Sequence, residues 1–303
     1  MPESVEAYLL KVEERLNSGN FKKALNVLNE AQRIYPQEYT IYLSRATVYM
    51  ITNQPDKALS DFDKAVEIAP DDPACYLARA TLYMIQQSET QAIEDYNTAI
   101  QKEPDNYHHY IIRASAYATF ARFKQAFADC DKAEKLNPND GEVFATRASL
   151  YQMQQKWKKA IEACNRAIEK GYTHISVYYA RAESYQELQK YDEALVDYAE
   201  IIRQDPEDFM AYEERINIFM EREQEDIALN EINGYIQQFP RNPNAYMVRA
   251  MMYLKPETAK LSLADFQQVI KLDPSNFMAR QLKNTVQAML RMESTNKLLG
   301  KKK

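Results

Sequence analysis

The sequence is poor in glycine: 5 occur in 303 residues, none clustered, so there is no loop of the kind that cradles a phosphate. Cysteine is as scarce. Cys75, Cys130 and Cys164 are widely spaced and form no CxxC pair, which argues against a zinc motif and a disulfide framework, and the odd number fits a reducing compartment. Of 3 histidines, His108 and His109 are adjacent and would diverge by about 100° on a helix, while His174 sits alone at an irregular junction, so no metal ligand set is expected. Neither GxSxG, HExxH nor a kinase-like set of motifs occurs. No apolar run approaches the ~18 residues needed to cross a bilayer. The acidic start, Met1-Pro2-Glu3-Ser4-Val5-Glu6, does not read as a secretory signal. These absences lead us to expect a cytoplasmic protein with no catalytic centre, no metal and no cofactor.

What is present is periodic. Pro36, Pro70, Pro104, Pro138, Pro206, Pro240 and Pro274 stand 34 residues apart, with one double step in which Tyr172 takes the proline's place. Eight units follow: 5–38, 39–72, 73–106, 107–140, 141–174, 175–208, 209–242 and 243–276. Their fourth place is Tyr8, Tyr42, Tyr76, Tyr110, Phe144, Tyr178, Tyr212 and Tyr246. The eighth is mostly small (Ala46, Ala80, Ala114, Ala148, Ala182, Ala250), the eleventh mostly Tyr, and the twentieth Ala from Ala24 to Ala228. Spacings of three and four put these columns on single helix faces, so each unit is expected to hold two helices of about 14 residues. Asp72, Asn106, Asp140, Asp208, Asn242 and Asn276 end their units and are placed to cap the helix that follows. The proline two residues earlier stops the helix before it. Alternation of Ala with large rings suits close backbone approach filled by a neighbour's side chain, and Cys130 and Cys164 share the core-facing twenty-fourth place.

This 34-residue pattern of aromatic, small, aromatic, Ala and Pro columns resembles the tetratricopeptide repeat over about nine tenths of the chain. It departs where that family often has Gly, at the eighth place, which here is chiefly Ala. The resemblance implies an all-α fold, a right-handed α-solenoid (superhelix) of antiparallel helix pairs, with first helices lining an inner groove. Residues 277–292 read as a capping helix, which an open stack needs, and 293–303 as a flexible basic tail.

Two columns carry opposite charge. The seventh place is Arg45, Arg79, Arg113, Arg147, Arg181, Arg215 and Arg249; the twenty-third is Asp61, Asp95, Asp129, Asp197, Glu231 and Asp265, interrupted by Val27 and by Ala163, which has Glu162 beside it. These form either a structural ladder of Arg–carboxylate pairs or a row of Arg facing an anionic ligand, and the matching acids favour the ladder. Whether each Arg meets its own unit's acid or a neighbour's is open from sequence.

The resemblance places the second, fifth, ninth, twelfth and thirteenth positions toward the groove. Candidate partner-binding residues are therefore Leu43, Thr47, Met50, Leu77, Thr81, Met84, Ile111 and Ser115, apolar anchors beside polar rungs, some of which could instead pack under neighbouring helices. Units six and seven add Tyr179, Glu183, Glu187, Glu213, Asn217 and Glu221. From Glu183 to Glu231 there are 16 acidic and 4 basic residues, against a whole-chain net charge of −6. That excess is either a solvated face or a surface for a basic segment. The sixth place has no Asn and the groove lacks a Lys pattern, so the basic clamp with which some tetratricopeptide proteins hold a chaperone's terminal carboxylate is not expected. The expected function is a protein–protein interaction scaffold or adaptor that binds a protein or peptide segment in its concave groove. The alternative is a regulatory or substrate-recruiting subunit of an enzyme complex. Neither a membrane nor nucleic acid is an expected partner.

Overall fold

The first seven repeats turn between their two helices through a residue in the left-handed region, and glycine supplies it in only one case, Gly19 at φ 69°. Asn53, Gln87, Ala121, Gln155, Gln189 and Glu223 occupy the same place of their repeats at φ 56–59°. The next residue's N–H closes the turn on the preceding helix: Gln54 to Tyr49 O at 2.8 Å, Ser88 to Tyr83 O at 2.9 Å and Arg122 to Tyr117 O at 2.8 Å. This satisfies carbonyls that a helix end leaves unpaired. It also shows how a glycine-poor chain makes so many tight turns.

The structure, a computed structural model, describes residues 3–300, with side chains to Met292, and among these there is no strand. The first repeats are α1 (Val5–Asn17) with α2 (Phe21–Ile34), α3 (Tyr39–Ile51) with α4 (Pro55–Ile68), and α5 (Pro73–Ile85) with α6 (Glu89–Lys102). Next come α7 (Tyr107–Thr119) with α8 (Phe123–Leu136), and α9 (Gly141–Met153) with α10 (Trp157–Glu169). Then follow α11 (Ile175–Glu187) with α12 (Tyr191–Gln204), α13 (Phe209–Glu221) with α14 (Glu225–Gln238), and α15 (Pro243–Met252) with α16 (Ala259–Leu272). The last helix, α17, spans Phe277–Gly300. The sequence ends it at Met292; it continues to Gly300, and the lysines 301–303 lie outside the described residues.

The chain divides into two compact units, Met1–Tyr172 and Thr173–Lys303. Each is a stack of helical hairpins, as the all-α solenoid reading expects. The six expected caps form: the side chains of Asp72, Asn106, Asp140, Asp208, Asn242 and Asn276 accept N–H groups of the helices that follow, at 2.7–3.2 Å. The tyrosine and proline columns are also bonded to one another. Tyr42, Tyr76 and Tyr110 donate their hydroxyls to the carbonyls of Pro36, Pro70 and Pro104 at 3.0 Å, and Tyr246 does so to Pro240 at 3.2 Å.

The core runs through each stack as the Ala columns suggest. Ala46 and Ala58 let α3 and α4 approach, Phe62 fills the space between them, and Leu82 of the next repeat closes it. Leu82 belongs to a tenth-place column (Val48, Leu82, Ala116, Leu150, Ser184, Ile218, Met252, Val286) that is buried from the second repeat on, Glu14 of the first being exposed, and that the sequence reading does not include. Ser184 is accommodated there because its hydroxyl donates to Ala180 O at 2.7 Å.

The fifth repeat departs from the rule where Tyr172 replaces proline. The second helix α10 has 13 residues rather than 14, Gly171 ends it at φ 82°, and Tyr172 N–H donates to Ala167 O at 3.0 Å. Tyr172 then presses on the start of α9, where only a glycine fits. A Cβ on Gly141 would lie 2.5 Å from Tyr172 Cβ and 2.6 Å from Ala167 O. The eighth repeat is irregular too. Lys255 is extended ahead of Pro256, as the ring's clash with the preceding residue demands, and a short 3-10 turn, Pro256–Thr258, leads into α16.

Candidate partner-binding surface

The charged columns form a ladder within repeats. Arg45 donates from Nε to Asp61 Oδ2 at 2.7 Å and from Nη2 to Oδ1 at 2.8 Å. The same two-pronged grip joins Arg79 to Asp95, Arg113 to Asp129, Arg181 to Asp197 and Arg249 to Asp265, at 2.6–2.9 Å for the shorter bond of each prong. The remaining nitrogen, Nη1, reaches back to the preceding repeat: Arg45 to Asn29 at 2.8 Å, Arg79 to Asp63 at 2.7 Å, Arg113 to Asn97 at 2.6 Å and Arg249 to Asn233 at 2.7 Å. Each of these four arginines thus ties two helices of its own repeat and the second helix of the one before. The twenty-fifth-place acceptors Asn29, Asp63, Asn97, Asp131 and Asn233 recur at multiples of 34 residues and could have been found as a column. The carboxylate hydrogen bonds hold the Arg45 and Arg79 guanidinium pKa values above their ordinary range. These arginines are engaged by the protein itself, which decides between the two sequence readings in favour of the structural ladder.

In the first unit, successive first helices touch: α1 meets α3, α3 meets α5, and α7 meets α9. Their outward faces are therefore neighbours. Thr47 and Thr81 are exposed on α3 and α5, and Ser115 on α7. Their hydroxyls donate to the carbonyls one turn back, Leu43 (3.0 Å), Leu77 (2.9 Å) and Ile111 (3.1 Å), so their oxygens remain as acceptors toward solvent. The apolar candidates separate into two kinds. Leu43 and Met50 are half-buried against Ala46, Ala58 and Phe62, and Leu77 and Met84 against Ala80, Ala92 and Tyr96. Ile111, expected on the same face, is instead buried against Ala114, Cys130 and Val143. Only a side chain clear of the adjoining helix can present itself, and at the fifth place the next first helix covers it. The apolar first-helix residues that face solvent include Ile51 (54% exposed) and Ile85 (66%), with Met153 at the same thirteenth place of the fifth repeat, and Leu10 and Ile112 at the sixth place. Ile51, Ile85 and Met153 share their column with the candidates Glu187 and Glu221.

In the second unit, Glu183, Glu187, Asn217 and Glu221 are exposed, and Tyr179 and Glu213 are half-buried. Tyr179 is drawn inward, its hydroxyl donating to Asp208 at 2.8 Å, and burial together with that bond raises its pKa. Burial and the neighbouring Glu214 push the Glu213 carboxyl above its usual range. Other acids of this stretch are paired: Asp192 with Arg222, Glu200 with Arg203, and Glu225 with Lys255. Glu183, Glu187, Glu213, Glu214 and Glu221 of this stretch lie on the first helices α11 and α13.

One further constellation escaped the sequence reading, which weighed His108 only against His109. The stack brings His108 to Asp140 and Glu142, with ligand atoms within 4.8 Å of one another. Both Asp140 oxygens already accept hydrogen bonds, from Glu142 N–H and the Tyr107 hydroxyl, so the trio reads as part of a helix cap. His109 is buried at the third place, where other repeats carry Ile41, Val143 and Val177. Among the described residues, no helix is long and apolar enough to cross a membrane.

Comparison with known proteins agrees with this geometry. Tetratricopeptide repeat family models match residues 9–73, 77–141 and 175–208. No curated protein matches the sequence. In fold the chain is similar to one in the crystal structure of the APC/C hetero-tetramer Cut9-Hcn1, at 14% identity over 94% of this chain and 50% of that one, with a TM-score of 0.56. It thus spans about half the length of that relative. It is also similar to a tetratricopeptide repeat protein from Parabacteroides merdae (17% identity, 93% and 98% of the two chains, TM-score 0.51) and to pilF of Pseudomonas aeruginosa (17%, 70% and 97%, TM-score 0.53). With its hairpin stacks, its Tyr–Pro and Ala columns, and family matches that together cover more than half its length, the chain belongs to the tetratricopeptide repeat family.

Proposed function

We propose that this chain is a non-catalytic scaffold that captures a segment of a partner protein on its first helices. The observation that carries this reading is the solvent-facing pair Ile51 and Ile85, on touching helices, beside the hydroxyl acceptors of Thr47 and Thr81. Isolated exposed apolar residues are ordinary, but apolar side chains repeated on adjacent helices beside polar rungs suit a segment with spaced anchors. The half-buried Leu43, Met50, Leu77 and Met84 form the floor of this surface and hold it rigid. In the second unit, Glu187, Glu213 and Glu221 supply negative charge suited to a basic stretch of a partner. Glu213 supports this, since burial and Glu214 both oppose its negative charge, and a cation beside it would relieve both.

The test is crosslinked co-purification from the native cell with wild type, Ile51→Glu/Ile85→Glu and Glu213→Lys/Glu221→Lys. Because all four positions lie outside the Tyr and Ala columns, circular dichroism should be unchanged. A partner lost from the first variant, and slowed in association by the second and by added salt, supports the proposal. Identical partner sets from all three proteins would remove this surface from consideration.

A further inference from the structure

In the second unit the ion pairs consume the cations and leave one set of acids with none. Arg181, Arg215 and Arg249 of the first helices are held by Asp197, Glu231 and Asp265. Lys190, Arg222 and Lys255 are held by Glu193, Asp192 and Glu225, and Arg203 by Glu200. All of these acids lie on the second helices α12, α14 and α16. The first-helix acids Glu187, Glu213, Glu214 and Glu221 form no ion pair among the described residues. The donors that do reach them are neutral: the Gln186 amide to Glu214 at 3.3 Å and the Tyr191 hydroxyl to Glu221. The exposed large apolar residues on α13, α15 and the first turn of α17 are, Phe277 apart, all methionines: Met210, Met220, Met251 and Met278. Those on the first helices of the first unit are Leu10, Ile51, Ile85 and Ile112, with Met153 the one methionine. Steps of three and four residues join Met210, Glu213, Glu214, Asn217, Met220 and Glu221, so thioethers and carboxylates share one face of α13. Both α13 and α15 pack on α14, and in the register of Glu213 and Asn217 α15 carries Met247 and Met251.

We propose that this acidic, methionine-bearing surface takes an amphipathic helix of a partner protein, one in which lysine or arginine is interleaved with large apolar residues. The proposal rests on the reading of the first helices as the capture surface, and it names the kind of segment that the second unit accepts. The charge has to come from outside, because the unit's own cations are spent on its second helices. A wholly polar basic segment would leave the methionines wet, and a wholly apolar one would bury carboxylates without partners. Methionine suits bulky anchors of varied shape, since its unbranched, polarisable side chain re-packs around rings and aliphatic groups alike. A helix fits better than an extended chain. Thioethers and carboxylates recur along α13 at each turn of about 5.4 Å, as do the side chains on one face of a partner helix, whereas an extended chain repeats a face every ~6.6 Å and falls out of step. Nucleic acid and anionic lipid carry the charge that these carboxylates repel.

The experiment is fluorescence anisotropy of labelled synthetic peptides with the full chain, at low and at high salt. The first peptide, about five helical turns long, interleaves leucine and lysine on one face. The second has the same composition in scrambled order, and the third has serine in place of every leucine. Wild type should bind the first about tenfold more tightly than either of the others, and salt should weaken that binding. With methyl-labelled methionine, the resonances of Met210, Met220, Met251 and Met278 should move during the titration while those of Met50 and Met84 stay. Glu213→Gln/Glu221→Gln should weaken binding about tenfold and flatten the salt dependence. Met210→Ser/Met251→Ser should weaken it and keep the salt dependence. The proposal is overturned if the first peptide does not bind, if the serine or the scrambled peptide binds as tightly, or if only Met50 and Met84 respond. A partner lost in the cell with Ile51→Glu/Ile85→Glu, while the first peptide fails to bind, would leave the capture reading standing and remove this inference alone.

Discussion

Arg45 and Asp61, sixteen residues apart, are joined by parallel hydrogen bonds of 2.7 and 2.8 Å, with about a tenth of each side chain exposed. Removing one partner strands a buried charge. Asp61→Ala should therefore destabilise by ~3–5 kcal/mol. Lys64→Ala, which breaks the exposed Lys64–Glu67 pair one turn away, should change stability by less than ~0.5 kcal/mol. Urea unfolding midpoints of the two variants make the comparison.

Gly141 and Gly234 offer a contrast between two glycines. A methyl group at 141 would collide with Tyr172 and a backbone carbonyl, so Gly141→Ala should destabilise by ~1–3 kcal/mol. Nothing lies within 4 Å of the corresponding position at Gly234, in the interior of α14. Gly234→Ala should stabilise by ~0.5–1 kcal/mol, the helix preference of alanine over glycine. Thermal melts of the two single variants should move in opposite directions.

Ala121 is exposed at φ 56° in the turn between α7 and α8, a conformation in which its Cβ crowds the backbone. Ala121→Gly removes that crowding at some cost in chain entropy, and a net gain of up to ~1 kcal/mol is expected. Gly19 already makes this choice in the first repeat. A lower unfolding midpoint for Ala121→Gly would contradict the strain argument.

His109 is buried, and burial holds its pKa below the ordinary 6.5, with His108 acting in the same direction and Glu103 and the Ala99 carbonyl against it. The folded protein therefore keeps this ring neutral while the unfolded chain takes up a proton at ~6.5. The sign follows from linkage: the stability tied to the neutral ring is complete above 6.5 and is lost as pH falls through the depressed folded value. His109→Val, the residue at Val143 and Val177 in later repeats, should flatten the loss of Tm between pH 7.5 and 5. An unchanged pH slope would remove His109 as its source.

The sequence made the repeat legible because each column reports a local physical demand. Proline marks a helix stop, Asp72 and its counterparts mark a cap, and Ala46 beside Phe62 marks close packing. The Tyr42–Pro36 bond was not visible because periodicity shows which columns recur, not which touch. The partners of Arg45 are half legible: the sequence shows the acidic column that contains Asp61 but not which of its acids Arg45 meets, and Asn29 is hidden, since a polar residue on a helix surface looks the same whether solvated or bonded. The candidate surface was the least legible. Leu77 and Ile85 are both apolar first-helix residues, and only the position of the adjoining helix determines that the first is half-buried and the second exposed. Ile111 was misjudged for the same reason.

The most direct test of partner capture on the first helices is site-specific photo-crosslinking in the native cell. The photoreactive residue is placed singly at Ile51 on α3, at Ile85 on α5, and at the exposed Glu94 on the second helix α6. The account predicts adducts to the same partner from positions 51 and 85 and none from 94. Adducts from 94 with none from 51 and 85 would contradict it.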